Sequence, residues 1–244
     1  MLRVAVMVLC LGIAGAAQSG AQKPADTKKS TAAPKSGTAA HEPTAIIHTT
    51  AGDLKCELFP DKAPKTVANF IGLAKGTKDW KNPSTGQMEH GKPLYDGVIF
   101  HRTIPGFVIQ AGDPTGSGSG DIGFTFEDEP SDLLYDRPGR LAMANRGPST
   151  NSSQFFITES PLPALNPQPP RVYTIFGQCD DPSMELVKKI ARMPCQGGGT
   201  CTSNNSRPEN PVKITHIDIQ NAPGAKSSAS ADKAAKTTKS STKK

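Results

Sequence analysis

Between residues 44 and 220, nearly every patterned apolar stretch is short, strand-like and closed off by glycine or proline, which leaves few folds open. Residues 46–50 and 54–59 read as two strands around the turn Ala51-Gly52-Asp53. Six more strand-like runs follow at 98–100, 107–110, 141–144, 154–158, 172–176 and 212–219. Only two stretches carry helical spacing. In 63–76, Val67, Phe70, Ile71 and Ala74 recur at i, i+3, i+4 and i+7, with Pro64 in the first turn and Gly76 as the stop. In 181–193, Asp181 is placed to cap and Pro182 to sit first, and Leu186, Ile190 and Met193 would form the buried stripe. Short strands with two helices predict a mainly β domain, a closed eight-stranded antiparallel barrel capped by two α-helices.

The ends are of another kind. Arg3 precedes an uncharged apolar run over 4–17 that leads to small residues, the pattern of a signal peptide (1–17) and too short for a comfortable membrane span. Cys10 follows Leu9 rather than a small residue, which argues against a lipid anchor. Residues 18–43 and 221–244 are rich in Lys, Ala, Ser and Thr without apolar periodicity and read as a disordered linker and tail. The net charge of +6 belongs to these ends. Residues 44–220 hold 17 Lys+Arg against 19 Asp+Glu, a net −2, whereas the tail alone carries +5. A nucleic-acid partner is therefore not expected of the folded domain. An exported chain, periplasmic or secreted, can also oxidise Cys56, Cys179, Cys195 and Cys201. Cys195 and Cys201 flank a pliable loop, whereas Cys56 and Cys179 can pair only if their strands are neighbours. No metal is expected at these cysteines, since neither CxxC spacing nor a histidine at ligand spacing accompanies them.

Two motifs carry the chemistry. Phe100-His101-Arg102-Thr103-Ile104-Pro105-Gly106-Phe107-Val108-Ile109-Gln110 sets a cation, an aromatic ring and an amide on an apolar run. Met143-Ala144-Asn145-Arg146-Gly147 leads to Gln154-Phe155-Phe156 and adds amides and a second ring. Together they resemble the cyclophilins, peptidyl-prolyl cis/trans isomerases, over nearly all of 44–220. The resemblance implies the same capped barrel, with Arg102 as the catalytic cation and no metal or organic cofactor. It implies a proline slot lined by Phe107, Val108, Phe156 and Leu165. Gln110 and Asn145, with the Ala144 main chain, would hold the substrate backbone, and Gln154 would brace Arg102.

The chain departs from the family pattern in three places. Val108 stands where methionine is common, Ala164 where an aromatic residue (often tryptophan) precedes the leucine, and Tyr173 where the pocket histidine is usual. Turnover is expected to survive these changes, and cyclosporin binding to be weak. The expected partners are proline-containing unfolded or flexible polypeptides, met by a monomer. The alternative is a catalytically weak module that grips such segments as a chaperone or docking domain. Gly116-Ser117-Gly118-Ser119-Gly120 reads as a flexible loop, Glu127-Asp128-Glu129 as a solvated turn, and 79–90 as a polar insertion.

Overall fold

The structure, a computed structural model, describes residues 42–169 and 172–221; the expected signal peptide, most of the linker and nearly all of the tail lie outside them. The chain opens with β1 (Thr44–Thr49) and β2 (Gly52–Leu58), then α1 (Pro64–Lys75). A two-stranded hairpin of β3 (Trp80–Lys81) and β4 (Met88–Glu89) follows. Then come β5 (Arg102–Thr103), β6 (Val108–Ala111), β7 (Arg140–Met143) and β8 (Phe155–Thr158). A 3-10 turn at Pro163–Leu165, β9 (Ile175–Cys179), α2 (Asp181–Ala191) and β10 (Ile214–Gln220) complete it. Eight strands form one antiparallel sheet in the order β10-β1-β2-β9-β7-β8-β6-β5. The 98–100 run is not a ladder strand. Ile99 makes a single bridge to Lys213, and the Phe100 and Ile214 amides donate to Val212 and Val98 carbonyls, joining the two ends of the strand order. The 172–176 strand starts only at Ile175.

Phe70, fully buried on α1, meets Tyr95, Phe155 and Phe176 with ring centroids 5.2–5.6 Å apart, and this aromatic knot ties the helix to the sheet. Trp80 is buried too, its indole N–H donating to the Lys92 carbonyl at 3.0 Å, so the 79–90 insertion is anchored in the core. On α2 the cap is Asp180, not Asp181: its carboxylate accepts from the Ser183 amide at 3.0 Å. The buried stripe runs through Met184, Val187 and Ile190, with Leu186 only partly covered.

The acidic triplet is not a solvated turn. Ala63 at the start of α1 has no side chain to cap with, and Glu129 takes over. Its carboxylate accepts from the Lys65 and Thr66 amides at 3.0 and 2.8 Å, satisfying orphan donors at the positive end of the helix. Asp128 turns the other way, to the Asn151 side-chain amide and the Ser149 backbone N–H.

The glycine-serine loop is likewise wound around a charge. Asp113 is 1% exposed, and its carboxylate accepts from the Thr115, Gly118 and Gly120 amides and from the Thr115 and Ser117 hydroxyls at 2.6–3.1 Å. Burial alone would raise its pKa, but these donors outweigh burial and hold it below the usual carboxylate value.

Cys56 and Cys179 are directly opposed on β2 and β9 and are bonded, as are Cys195 and Cys201. The first closes a loop of 123 residues and the second one of 6. Chain-entropy arguments put their upper contributions at about 5 and about 2 kcal/mol. Urea unfolding should therefore show a larger loss for Cys56→Ser/Cys179→Ser than for Cys195→Ser/Cys201→Ser. Equal losses would mean that native strain or denatured-state structure, not loop length, sets the ranking.

A depressed folded-state pKa means that Asp113 stabilises the fold fully above the unfolded value, and that this contribution fades as pH falls through the folded one, below about pH 4. Asp113→Asn should cost about 2 kcal/mol at pH 6, with the gap to the parent narrowing at pH 3. A gap that stays constant with pH would remove Asp113 as its source.

Candidate active site

The site starts from a turn. Pro105 and Gly106 (φ 71°) occupy the centre of a tight turn closed by the Phe107 amide on the Ile104 carbonyl at 3.0 Å. A fixed proline φ followed by a positive φ suits a type II turn. Buried Glu159 accepts from the Gly106 N–H at 2.8 Å and pairs with Arg192, clamping the turn from behind. The turn fixes the β5–β6 register, with Arg102 opposite Gln110; Gln110 in turn faces Phe156 on β8. Residues opposed in an antiparallel sheet share a face, so one cation, one amide and one ring are lined up across three strands. Val108, two residues before Gln110, joins the same face.

Around this row a second apolar cluster forms, separate from the main core, from Val108, Tyr135, Ala142, Phe156 and Ile175. Phe107, Ala144, Leu165 and Tyr173 pack on it half-buried. Arg102, Phe107, Val108, Gln110, Ala144, Asn145, Phe156, Leu165 and Tyr173 all line one cavity of about 240 Å³. Gln154 instead lines an adjoining cavity of about 230 Å³ that shares Gln110, Ala144 and Asn145 with the first.

The guanidinium carbon of Arg102 lies 5.5 Å from the Phe107 ring centroid, and Nη1 is 3.5 Å from Gln110 Oε1. The Gln110 side-chain N–H donates to Gln154 Oε1 at 3.0 Å, and Gln154 donates to the Gly118 carbonyl at 3.0 Å. Gln154 thus braces Arg102 only through Gln110, and the relay ends on the loop that Asp113 organises. Burial lowers the Arg102 pKa, with Tyr173 opposing, and arginine remains charged at neutral pH. Among the described residues no carboxylate lies within ion-pair distance of Arg102. A half-buried cation is thus left facing an apolar slot with no anion to neutralise it.

Two expectations need correcting. The Asn145 side-chain nitrogen is already engaged, donating to the Val172 carbonyl at 2.7 Å and more weakly to Asp128 and Asn151, so it braces the loop while the residue lines the cavity. The Ala144 amide already donates to the Gln154 carbonyl at 3.0 Å. Ala164 is exposed at the rim and is not among the lining residues. Tyr173 packs edge-on against Phe156 at 5.9 Å. The sequence reading missed Tyr135, fully buried beneath the slot, stacked on Phe156 at 6.1 Å and donating its hydroxyl to the Tyr173 carbonyl at 2.8 Å. Lying in a loop-like stretch outside every strand pattern, it gave no signal.

Residues 44–219 match the family described as cyclophilin type peptidyl-prolyl cis-trans isomerase/CLD. The peptidyl-prolyl cis-trans isomerase A of Mycobacterium tuberculosis is 49% identical over 178 residues, covering 72% of this chain and 91% of its own. Peptidyl-prolyl cis-trans isomerase B of Streptomyces anulatus is 46% identical over 152 residues, covering 62% and 84%. A crystal structure of a cyclophilin type isomerase from Cryptosporidium parvum superposes with a TM-score of 0.55 at 36% identity, covering 72% of this chain and 96% of that one.

Proposed function

The chain belongs to the cyclophilin-type peptidyl-prolyl cis-trans isomerases, and from that premise we propose how its residues divide the work. The enzyme accelerates rotation about X–Pro peptide bonds. Such rotation must break amide resonance, a barrier of about 20 kcal/mol, without making or breaking any covalent bond. As the bond twists, the prolyl nitrogen pyramidalises and its lone pair becomes an acceptor. A cation fixed beside that nitrogen binds the twisted state better than either planar one, which lowers the barrier.

Arg102 is assigned this role. Val108, Phe156 and Phe107 hold the proline ring, with Leu165 and Tyr173 closing the slot. Gln110, set by Gln154, takes the substrate backbone together with the Ala144 and Asn145 main chain. The observation that carries this reading is the register row of Arg102, Gln110 and Phe156 across β5, β6 and β8, facing one cavity. Further support comes from the Cryptosporidium relative, which was also solved in the presence of the dipeptide Ala-Pro.

The finer readings follow from the same features. The bonds between residues 98–100 and 212–214 support reading the sheet as a closed barrel. The apolar N-terminal run and the two disulfides support an exported chain, periplasmic or secreted, whose isomerase activity would assist folding of other exported chains. Fractionation of expressing cells should place a shortened chain outside the cytoplasm; full-length chain confined to the cytosol would end that reading.

The direct experiment is cis/trans exchange of an Ala-Pro-Phe peptide catalysed by the protein and by Arg102→Ala. The variant should keep its fold and lose about 10²- to 10³-fold in kcat/KM. A folded parent without acceleration would instead favour a proline-binding module. In the same assay cyclosporin should inhibit weakly, since Ala164 adds no aromatic wall; submicromolar inhibition would overturn that expectation.

A further inference from the structure

A cluster unrelated to the isomerase site sits at the other end of the strand order. His48 on β1 is directly opposite His216 on β10, and their rings stack with centroids 4.1 Å apart and planes 17° from parallel. Asp218 stands two residues further along β10, on the same face.

The outer nitrogen of each ring is already engaged. His48 Nδ1 lies 2.9 Å from Asp53 Oδ1, and a carboxylate can only accept, so this nitrogen carries the hydrogen. The Thr215 hydroxyl gives its one hydrogen to the His48 carbonyl at 3.2 Å. That hydroxyl also lies 3.3 Å from His216 Nδ1, and while it donates to the carbonyl it can only accept there, which puts the hydrogen of this ring on Nδ1. In both neutral rings the lone pair is then on Nε2.

The two Nε2 atoms lie 3.4 and 3.9 Å from Asp218 Oδ2, and the three ligand atoms fall within 4.8 Å of one another. His48 Nε2 is shut off from solvent and has no hydrogen-bond partner. Two ring nitrogens and a carboxylate oxygen thus lie within 4.8 Å of one another, the ring lone pairs side by side because the stacked planes are only 17° apart.

We propose that His48, His216 and Asp218 form a binding site for a divalent transition metal of the zinc class, with Asp53 as the outer carboxylate that orients His48. Two imidazoles and a carboxylate are a common zinc ligand set, and an outer carboxylate on the distal ring nitrogen is its usual companion. At metal–ligand distances near 2.0–2.1 Å, tetrahedral ligand atoms sit about 3.3 Å apart. His48 and Asp218 already have nearly that spacing. His216 and Asp218 are more than half exposed, and His216 would bind by turning its ring out of the stack on His48 until both lone pairs point at one ion. Three protein ligands leave a position for water or a small anion.

The test is calorimetric titration of Zn²⁺ into the full-length, disulfide-bonded chain, with imidazole ¹H–¹⁵N spectra of the same samples. One equivalent should bind, shifting the Nε2 signals of His48 and His216 to metal-coordinated positions. His216→Ala and Asp218→Asn, both at exposed positions, should each weaken binding at least about tenfold, and Asp53→Asn about tenfold. His90→Ala should change nothing, and peptide isomerisation should be the same with and without Zn²⁺. Absence of saturable binding, binding indifferent to His216→Ala, or unmoved Nε2 signals would each overturn the site. The last would mean that the rings share a proton with Asp218 instead.

Discussion

Slip β6 by one residue against β5 or β8, and Arg102, Gln110 and Phe156 no longer face the same way. Side chains alternate across a strand with a period of two, so a single-residue error moves the whole set to the other face. β5 has only two residues and β6 four, too few to hold register through their own ladder. Register is imposed from outside. The Pro105-Gly106 turn gives the hairpin one geometry, Glu159 grips the turn's N–H, and the Ser160 hydroxyl donates to the Gly106 carbonyl at 2.6 Å. On the far side, β8 pairs with β6 over four residues, Val108 to Ala111 against Thr158 to Phe155. The site is as precise as this clamp.

Carboxylates, one buried (Asp113) and two half-buried (Asp128 and Glu129), do a second share of the positioning. Asp113, Asp128 and Glu129 each gather backbone or amide donors that would otherwise be orphaned: one orders the glycine-serine loop, one the 145–151 segment, one the start of α1. A buried anion is tolerable only when several donors surround it, and that demand gives such loops a unique shape. The relay from Arg102 through Gln110 and Gln154 ends on the Gly118 carbonyl inside the Asp113 loop. Loop electrostatics and the orientation of the site amides are therefore parts of one network.

These facts also explain what could be read in advance. Seven of the eight sheet strands and both helices follow from apolar spacing and glycine-proline punctuation, which are local properties, whereas the two-residue β5 was not read and the 98–100 run taken for a strand makes a single bridge. Seven of the nine cavity-lining residues were legible because they lie on two contiguous motifs, whereas Leu165 and Tyr173 lie outside both and rested on the family resemblance. Asp180 as the α2 cap was missed by one residue, since adjacent aspartates before Pro182 are equivalent on paper. Glu129 was misread because its partners at Lys65 and Thr66 are more than sixty residues away. Tyr135 and the His48–His216 pair share that limitation. Their meaning comes from residues across the fold, and no local pattern encodes them.

The departures at Val108, Ala164 and Tyr173 can be weighed by what each would touch. On the proposed mechanism only the cation beside the prolyl nitrogen distinguishes twisted from planar substrate, and that element is intact. Val108 shortens one wall of the slot, and Ala164 leaves the rim open. Ala164 lies outside the cavity lining, and Val108 alters a contact that a proline ring makes equally in every rotational state. Such uniform binding changes KM while leaving the chemical barrier in place. Tyr173 differs, because it puts a phenol on the wall of the cavity that Arg102 also lines. Its phenol packs on Phe156, and its carbonyl takes the Tyr135 hydroxyl. Of the three substitutions it alone adds a polar group to the wall that Arg102 shares, and polarity around the cation is what can reach the barrier itself.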